Sequence, residues 1–247
     1  DELEILLRKT SEDFVAEKVK IDDMTMEDSR RINGFDYYAV AMLSMFTLYL
    51  ASIESRNLYE EANRKTLQRT KVSGISMKSI VLSQYITVFL MALFQIITMI
   101  LYSSIVMKVD WGSYSTVGVL IIAHAFAIAS LSAFISSITL KLRKLSIANL
   151  FESAIIPIMA FIGGSFIHYS ILPKFIEKIS FFTINGLTIR GYINIMLGYG
   201  IGDILNYILG LVLISIILLT ISIVIFQKRG EGIHVDNYQA KNIEIKG

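Results

Sequence analysis

The chain has no cysteine, only two prolines (Pro157 and Pro173) and a single tryptophan, Trp111. Without a thiol there is no disulfide, no thiolate nucleophile and no zinc-thiolate cluster. The three histidines, His124, His168 and His234, lie far apart in sequence, which disfavours a metal site built from imidazoles. Neither GxxxxGK[ST] nor GxGxxG occurs, so no glycine-rich loop is present to cradle a nucleotide phosphate. Charge is scarce too: 18% of residues are Asp, Glu, Lys or Arg, against about 25% in a soluble domain. With 23 bases and 21 acids the net charge is +2, too near neutral to point to a nucleic-acid partner.

Apolar residues fill the space. They make up 54% of 247 residues, and the mean hydropathy is +0.59. A bilayer core of roughly 30 Å takes about 20 apolar residues in a helix, and five stretches qualify: 36–53, 79–107, 116–140, 146–167 and 203–226. The fold class is therefore an all-α integral membrane protein. Basic residues set its orientation. Arg56, Arg64, Lys65, Arg69, Lys71 and Lys78 follow the first span, and Lys141, Arg143 and Lys144 fill the hairpin before the fourth, whereas the hairpin 108–115 has only Lys108. The positive-inside rule places the first two groups in the cytoplasm, with 1–35 and 168–202 outside and the tail 230–247 inside. Residues 1–35 carry ten acids and six bases and no apolar signal stretch. The expectation is that an earlier span precedes them; the alternative is a short tail translocated by the first span alone.

Three features depart from plain lipid-spanning helices. Pro157 removes a backbone hydrogen bond in mid-span, and Gly163-Gly164 follow, so the fourth stretch is expected to break. Beyond it, 169–182 and 187–197 are too polar to span at Lys174, Glu177, Lys178 and Arg190, and aromatic enough to lie at the interface. A re-entrant outer hairpin over 157–190 accounts for both; a Pro-kinked helix with a surface loop is the plainer option. Glu152 lies roughly 12 Å along a helix from Lys144, deep in the hydrocarbon, with Asn149 and Ser153 beside it. It either lines a polar path or is a structural acid, bonded to a neighbouring helix or reached by Lys144 or Arg143. His124 is expected to cap a buried hydrogen bond. Finally, Ser55 to Val72 reads as a cytoplasmic helix of mixed charge, fit to rest on the membrane surface or to dock on a protein partner.

From Ile32 to Arg229 the sequence resembles the permease subunits of type-2 ATP-binding-cassette exporters. Glu60-Glu61, Lys65-Thr66-Leu67, Arg69 and Ser73-Gly74-Ile75-Ser76 align with that family's cytoplasmic stretch after its second span, with Lys65 in place of the usual Gly and Gly74 in place of Pro. The segment from Phe161 to Gly198 matches the family's broken fifth span, outer hairpin and short helix through Pro173, Gly191 and Leu197-Gly198, although His168 and Ile184 stand where prolines are common. The resemblance implies that the five spans are the second to sixth of six and that 1–35 ends an external region. It further implies a permease domain over 36–229, with a coupling helix at 55–72 meeting a cytoplasmic ATPase through Glu60, Glu61, Arg64, Lys65 and Arg69. A second permease and membrane lipids are the other implied partners, and no cofactor is implied. The substrate would be amphipathic or lipidic and exported, with Asn149, Phe151 and Glu152 at the path and Pro157, Gly163 and Gly164 at its gate. Two rivals are a proton-coupled transporter using Glu152 and an intramembrane protease; the EExxxR pattern of the latter has Lys65 at the Arg position.

Overall fold

The computed structural model describes residues 32–63, 77–168, 171 and 173–244, with the side chains of Met77, Lys78 and Ile80 and of residues 227–244 left out. Every element among the described residues is helical. Five are long and apolar enough to cross a membrane, and the chain is an all-α integral membrane protein. α1 (Gly34–Asn63), α2 (Met77–Val106) and α3 (Tyr114–Leu142) are followed by a composite span made of α4 (Ser146–Leu150), a π-helical turn (Phe151–Ile155) and α5 (Ile156–Gly163). Two short helices come next, α6 (Lys174–Ser180) and α7 (Ile184–Met196), before the last span begins in α8 (Ile201–Glu244).

Local chemistry sets the ends. Asn33 and Asp36 each accept the other's backbone N–H, at 2.9 and 3.1 Å, a reciprocal cap that starts α1. α1 then runs unbroken through Asn63, so Ser55 to Asn63 extends the first span, and the remainder of the expected helix to Val72 lies outside the described residues. α3 stops at Arg143, which takes a left-handed conformation (φ 54°) and donates its N–H to Thr139. α8 continues as helix to Glu244, through most of the stretch read as a tail.

The composite span changes pitch ahead of its proline. Pro157 has no N–H for Ser153 and its ring crowds that carbonyl. The turn before it widens, and Ile156 donates to Phe151, five residues back. Helix is kept through the proline; the break falls at Gly164, whose φ of 99° suits glycine and whose N–H closes back on Ala160 and Phe161.

α3 is the hub, packed against α8, α1 and α2, with Leu120, Ala127, Ile128 and Ile135 buried along it. α2 and α8 turn large apolar side chains outward, among them Phe94, Ile105, Leu209 and Leu213, as a lipid-facing surface requires. α7 departs from the expected interfacial piece. From Ile184 to Met196 all but Asn194 are buried, because Arg190 finds its ring and hydroxyl partners inside the protein: its guanidinium sits 3.9 Å over Phe181 and Nη1 donates to Ser180 Oγ.

Candidate functional site

Successive turns of α1 present Ser52, Arg56 and Tyr59 at spacings of four and three, the separation that aligns side chains on one helix face. All three reach the same neighbouring stretch. Ser52 Oγ donates to the Ala148 carbonyl at 2.9 Å, Arg56 pairs with the Glu152 carboxylate, and Tyr59 Oη donates to the Arg143 carbonyl at 2.8 Å. The partners run from the α3–α4 corner into the π turn. Glu152 is therefore met by Arg56 from α1, and Lys144 and Arg143, considered as its counter-charges from sequence, are exposed instead. The two side chains are 34% and 32% exposed, which sets this pair between a solvated surface bridge and a fully desolvated one.

Toward the opposite end, α1 is tied to the end of the composite span through Asn185 on α7. Its Oδ1 accepts from Ser44 Oγ at 2.6 Å, while Nδ2 donates to Ser165 Oγ at 2.9 Å and to the Ala160 carbonyl at 3.2 Å. Ser165 Oγ donates in turn to the Ala41 carbonyl at 3.0 Å, and Tyr37 Oη donates to the Gly164 carbonyl at 2.6 Å. Every side chain in this knot is buried, so each bond replaces one that water cannot supply. Gly163 makes the approach possible: a Cβ there would lie 2.4 Å from Asn185 Nδ2.

Between these two ties the composite span has one side that the described residues leave uncovered. Ser146, Asn149 and Ser153 are exposed along it, continuing into Ile158 and Phe161 beyond the π turn. Exposed Phe35, Tyr38, Phe46 and Ile53 form a strip along α1. Of the residues expected at the path, Asn149 is exposed, Glu152 half-buried against Arg56, and Phe151 half-buried with its ring edge-on to Phe134 at 6.3 Å. Pro157 is half-buried, and Gly163 and Gly164 are buried. Of the residues expected at the ATPase contact, Glu60 and Glu61 lie on the last turns of α1 with at least partial exposure, whereas Arg64, Lys65 and Arg69 lie outside the described residues.

Sequence reasoning missed Ser44, Ser52, Tyr37, Ser165 and Asn185. An amide within a buried apolar helix is a legible signal for the last of them. His124 does not make the expected hydrogen bond: neither ring nitrogen has a partner among the described residues, and the ring lies 6.2 Å from that of Tyr192, inclined at 67°. No group of three metal-ligating side chains occurs among the described residues.

Residues 6–224 match the family described as ABC-2 family transporter protein. The chain belongs to that family. No curated protein and no solved structure matches it significantly. As a family member it is a multi-pass membrane permease subunit of an ATP-binding-cassette transporter, and the family implies that a partner ATPase hydrolyses the ATP.

Proposed function

We propose that this permease is the membrane subunit of an exporter that moves an amphipathic or lipidic substrate outward between itself and a second permease. The observation that supports this most is the run of ties from Ser52, Arg56 and Tyr59 to Ala148, Glu152 and Arg143. It joins the last turns of α1, which lead straight into the basic segment 64–78, to the π turn of the span with the uncovered polar side. Closure of an ATPase dimer against that cytoplasmic segment would push α1 along its axis. The ties would pass the movement to the π turn, and the packed helices would shift as rigid bodies to open the path. Asn149 and Ser153 would face the substrate's polar part, and the aromatic strip of α1 its apolar part. Gly163, Gly164 and Pro157 would form the outer gate. No residue performs covalent chemistry in this scheme.

Reversal of Arg64, Lys65 and Arg69 to Glu tests the docking step. ATPase co-purification from detergent should be lost while membrane insertion is unchanged; undiminished co-purification would exclude this segment as the contact. Proton-coupled transport is the second reading, favoured only by the depth of Glu152. Against it, the carboxylate is already matched by Arg56. Transport in vesicles with ATP supplied and the proton gradient collapsed separates the two: an exporter continues, and a proton-coupled carrier stops.

A further inference from the structure

On α6 and its flanks, Ile171, Lys174, Phe175, Lys178 and Phe182 are exposed, and Ile176, Ile179 and Ser180 turn toward the bundle. Lys174, Phe175 and Lys178 share one side of the helix, and Pro173 before it and Phe181 in the turn after it are exposed as well. Exposure reaches 74% at Phe175 and 81% at Phe182. Glu177, the acid of this helix, lies 4.0 Å from the buried guanidinium of Arg190 and so answers that charge, leaving the lysines as the charge of the outward face. The helix follows the glycine that terminates the composite span and packs on α5 and α7, at the end of the bundle where that span finishes.

We propose that this face is a membrane anchor, with Phe175 and Phe182 entering the acyl region and Lys174 and Lys178 binding the phosphates of anionic lipid headgroups. The composition points to lipid among the possible occupants. The core of a protein interface is depleted of lysine, and a face in water would not present two phenylalanines with so little cover. A short helix with aromatic and basic residues on one side fits a headgroup layer, where rings and ammonium groups are satisfied a few ångströms apart. Because α6 packs on the helices that carry Gly163 and Asn185, the anchor ties the outer knot to the leaflet around it. The inference needs only a bilayer around the bundle and is independent of what is transported or in which direction.

The test uses the full chain in vesicles with Phe175→Trp or Phe182→Trp; Trp111, 1% exposed, supplies a constant background. Quenching by lipids brominated on their acyl chains should exceed that of the parent protein for both variants, with little quenching by aqueous iodide. Phosphatidylglycerol should be retained on the purified protein in preference to phosphatidylcholine. That preference should fall about fivefold for each lysine replaced by Gln at 174 and 178, the effect of one basic residue near an anionic surface. Lys174→Arg with Lys178→Arg should keep it. Quenching by iodide alone would place the face in water and overturn the proposal. Quenching by neither agent would mean that protein covers it, whether a second copy or the acidic segment 1–31, and would overturn it equally. An unchanged headgroup preference in the Gln variants would remove the lysines from the anchor and sink the anionic-lipid assignment.

Discussion

The contact of α3 with α8 and the contact of α1 with the composite span hold by different means. α8 packs along α3, and both helices give apolar side chains to the core, Ala127, Ile128 and Leu131 from α3 and Ile204 and Leu211 from α8, with a bond from Ser222 Oγ to the Ala133 carbonyl at 2.8 Å between them. α1 is joined to the composite span and its flanks by polar ties: Tyr37 to Gly164 and Ser44 to Asn185 of α7 at one end, Ser52 to Ala148, Arg56 to Glu152 and Tyr59 to Arg143 at the other. In a bilayer apolar packing between helices competes with equally apolar lipid, whereas a hydrogen bond or ion pair has a fixed partner and a fixed register. The first contact is suited to a static wall. The second specifies position at several points along α1, which would suit a linkage that carries motion.

The largest break in this contrast is expected from Gly163→Val. Even its Cβ would lie 2.4 Å from Asn185 Nδ2 and 2.8 Å from the Gly186 nitrogen, and two methyls beyond it have nowhere to go. Overpacking of this kind costs about 1–3 kcal/mol or more, and here it also disrupts the knot. The thermal midpoint in detergent, followed by size-exclusion, should drop by several degrees. Gly202→Ala on α8 meets nothing within 4 Å and should leave the midpoint unchanged. Equal midpoints for the two variants would mean that α7 is not seated against Gly163.

Asn185→Ala comes next. It removes the acceptor of Ser44 and the donor to Ser165 and Ala160, leaving buried groups unmatched at about 1–3 kcal/mol. Its counterpart on the wall, Ser222→Ala, removes a single interhelical bond worth about 0.6 kcal/mol. The ratio of the two effects, read from the same melting assay, measures how much more the α1 side depends on polar ties; parity would erase the contrast.

The spans were legible because a bilayer imposes length and hydropathy on any helix crossing it: four of the five appear within about four residues of their sequence bounds, Ser146–Gly163 ending at the glycine pair, whereas the first runs ten residues past its expected end, to Asn63. Partners were not, since a hydrophobic run records that a helix is surrounded and not by what. Glu152 stood out by its depth, yet Arg56 was grouped with the cytoplasmic bases, because a helix beginning at Ser55 would have given it no fixed rotation relative to the span. Once α1 is continuous through Asn63, the rotation is set and Ser52, Arg56 and Tyr59 align. Asn185 hid for another reason: Thr183-Ile184-Asn185-Gly186 reads as a polar helix start, and Thr183 does cap α7 by accepting the Gly186 N–H. Arg190 argued for an interfacial helix only while its internal partners, Phe181 and Ser180, were out of view.

The smallest effect on stability is expected at the pair of Arg56 and Glu152, and there the contrast is sharpest in function. With each side chain about one-third exposed, removing the pair should cost no more than about 1 kcal/mol, near the limit of a melting assay. If the pair carries motion from the end of α1 to the π turn, Arg56→Ala and Glu152→Ala should each lower ATP-driven transport much more than they lower stability. Glu152→Gln, which keeps an acceptor for the guanidinium but loses the charge, should fall between Ala and the parent. Reversal at one site, Arg56→Glu or Glu152→Arg, places like charges together and should be worse than Ala; the double exchange restores opposite charges across the same two helices. A double-mutant cycle on transport rate, with the ATPase rate measured alongside, decides the matter. Recovery of transport by the double exchange, with ATP hydrolysis similar throughout, marks the pair as a link between hydrolysis and movement. Additive losses would make the two residues independent and the tie a matter of packing alone.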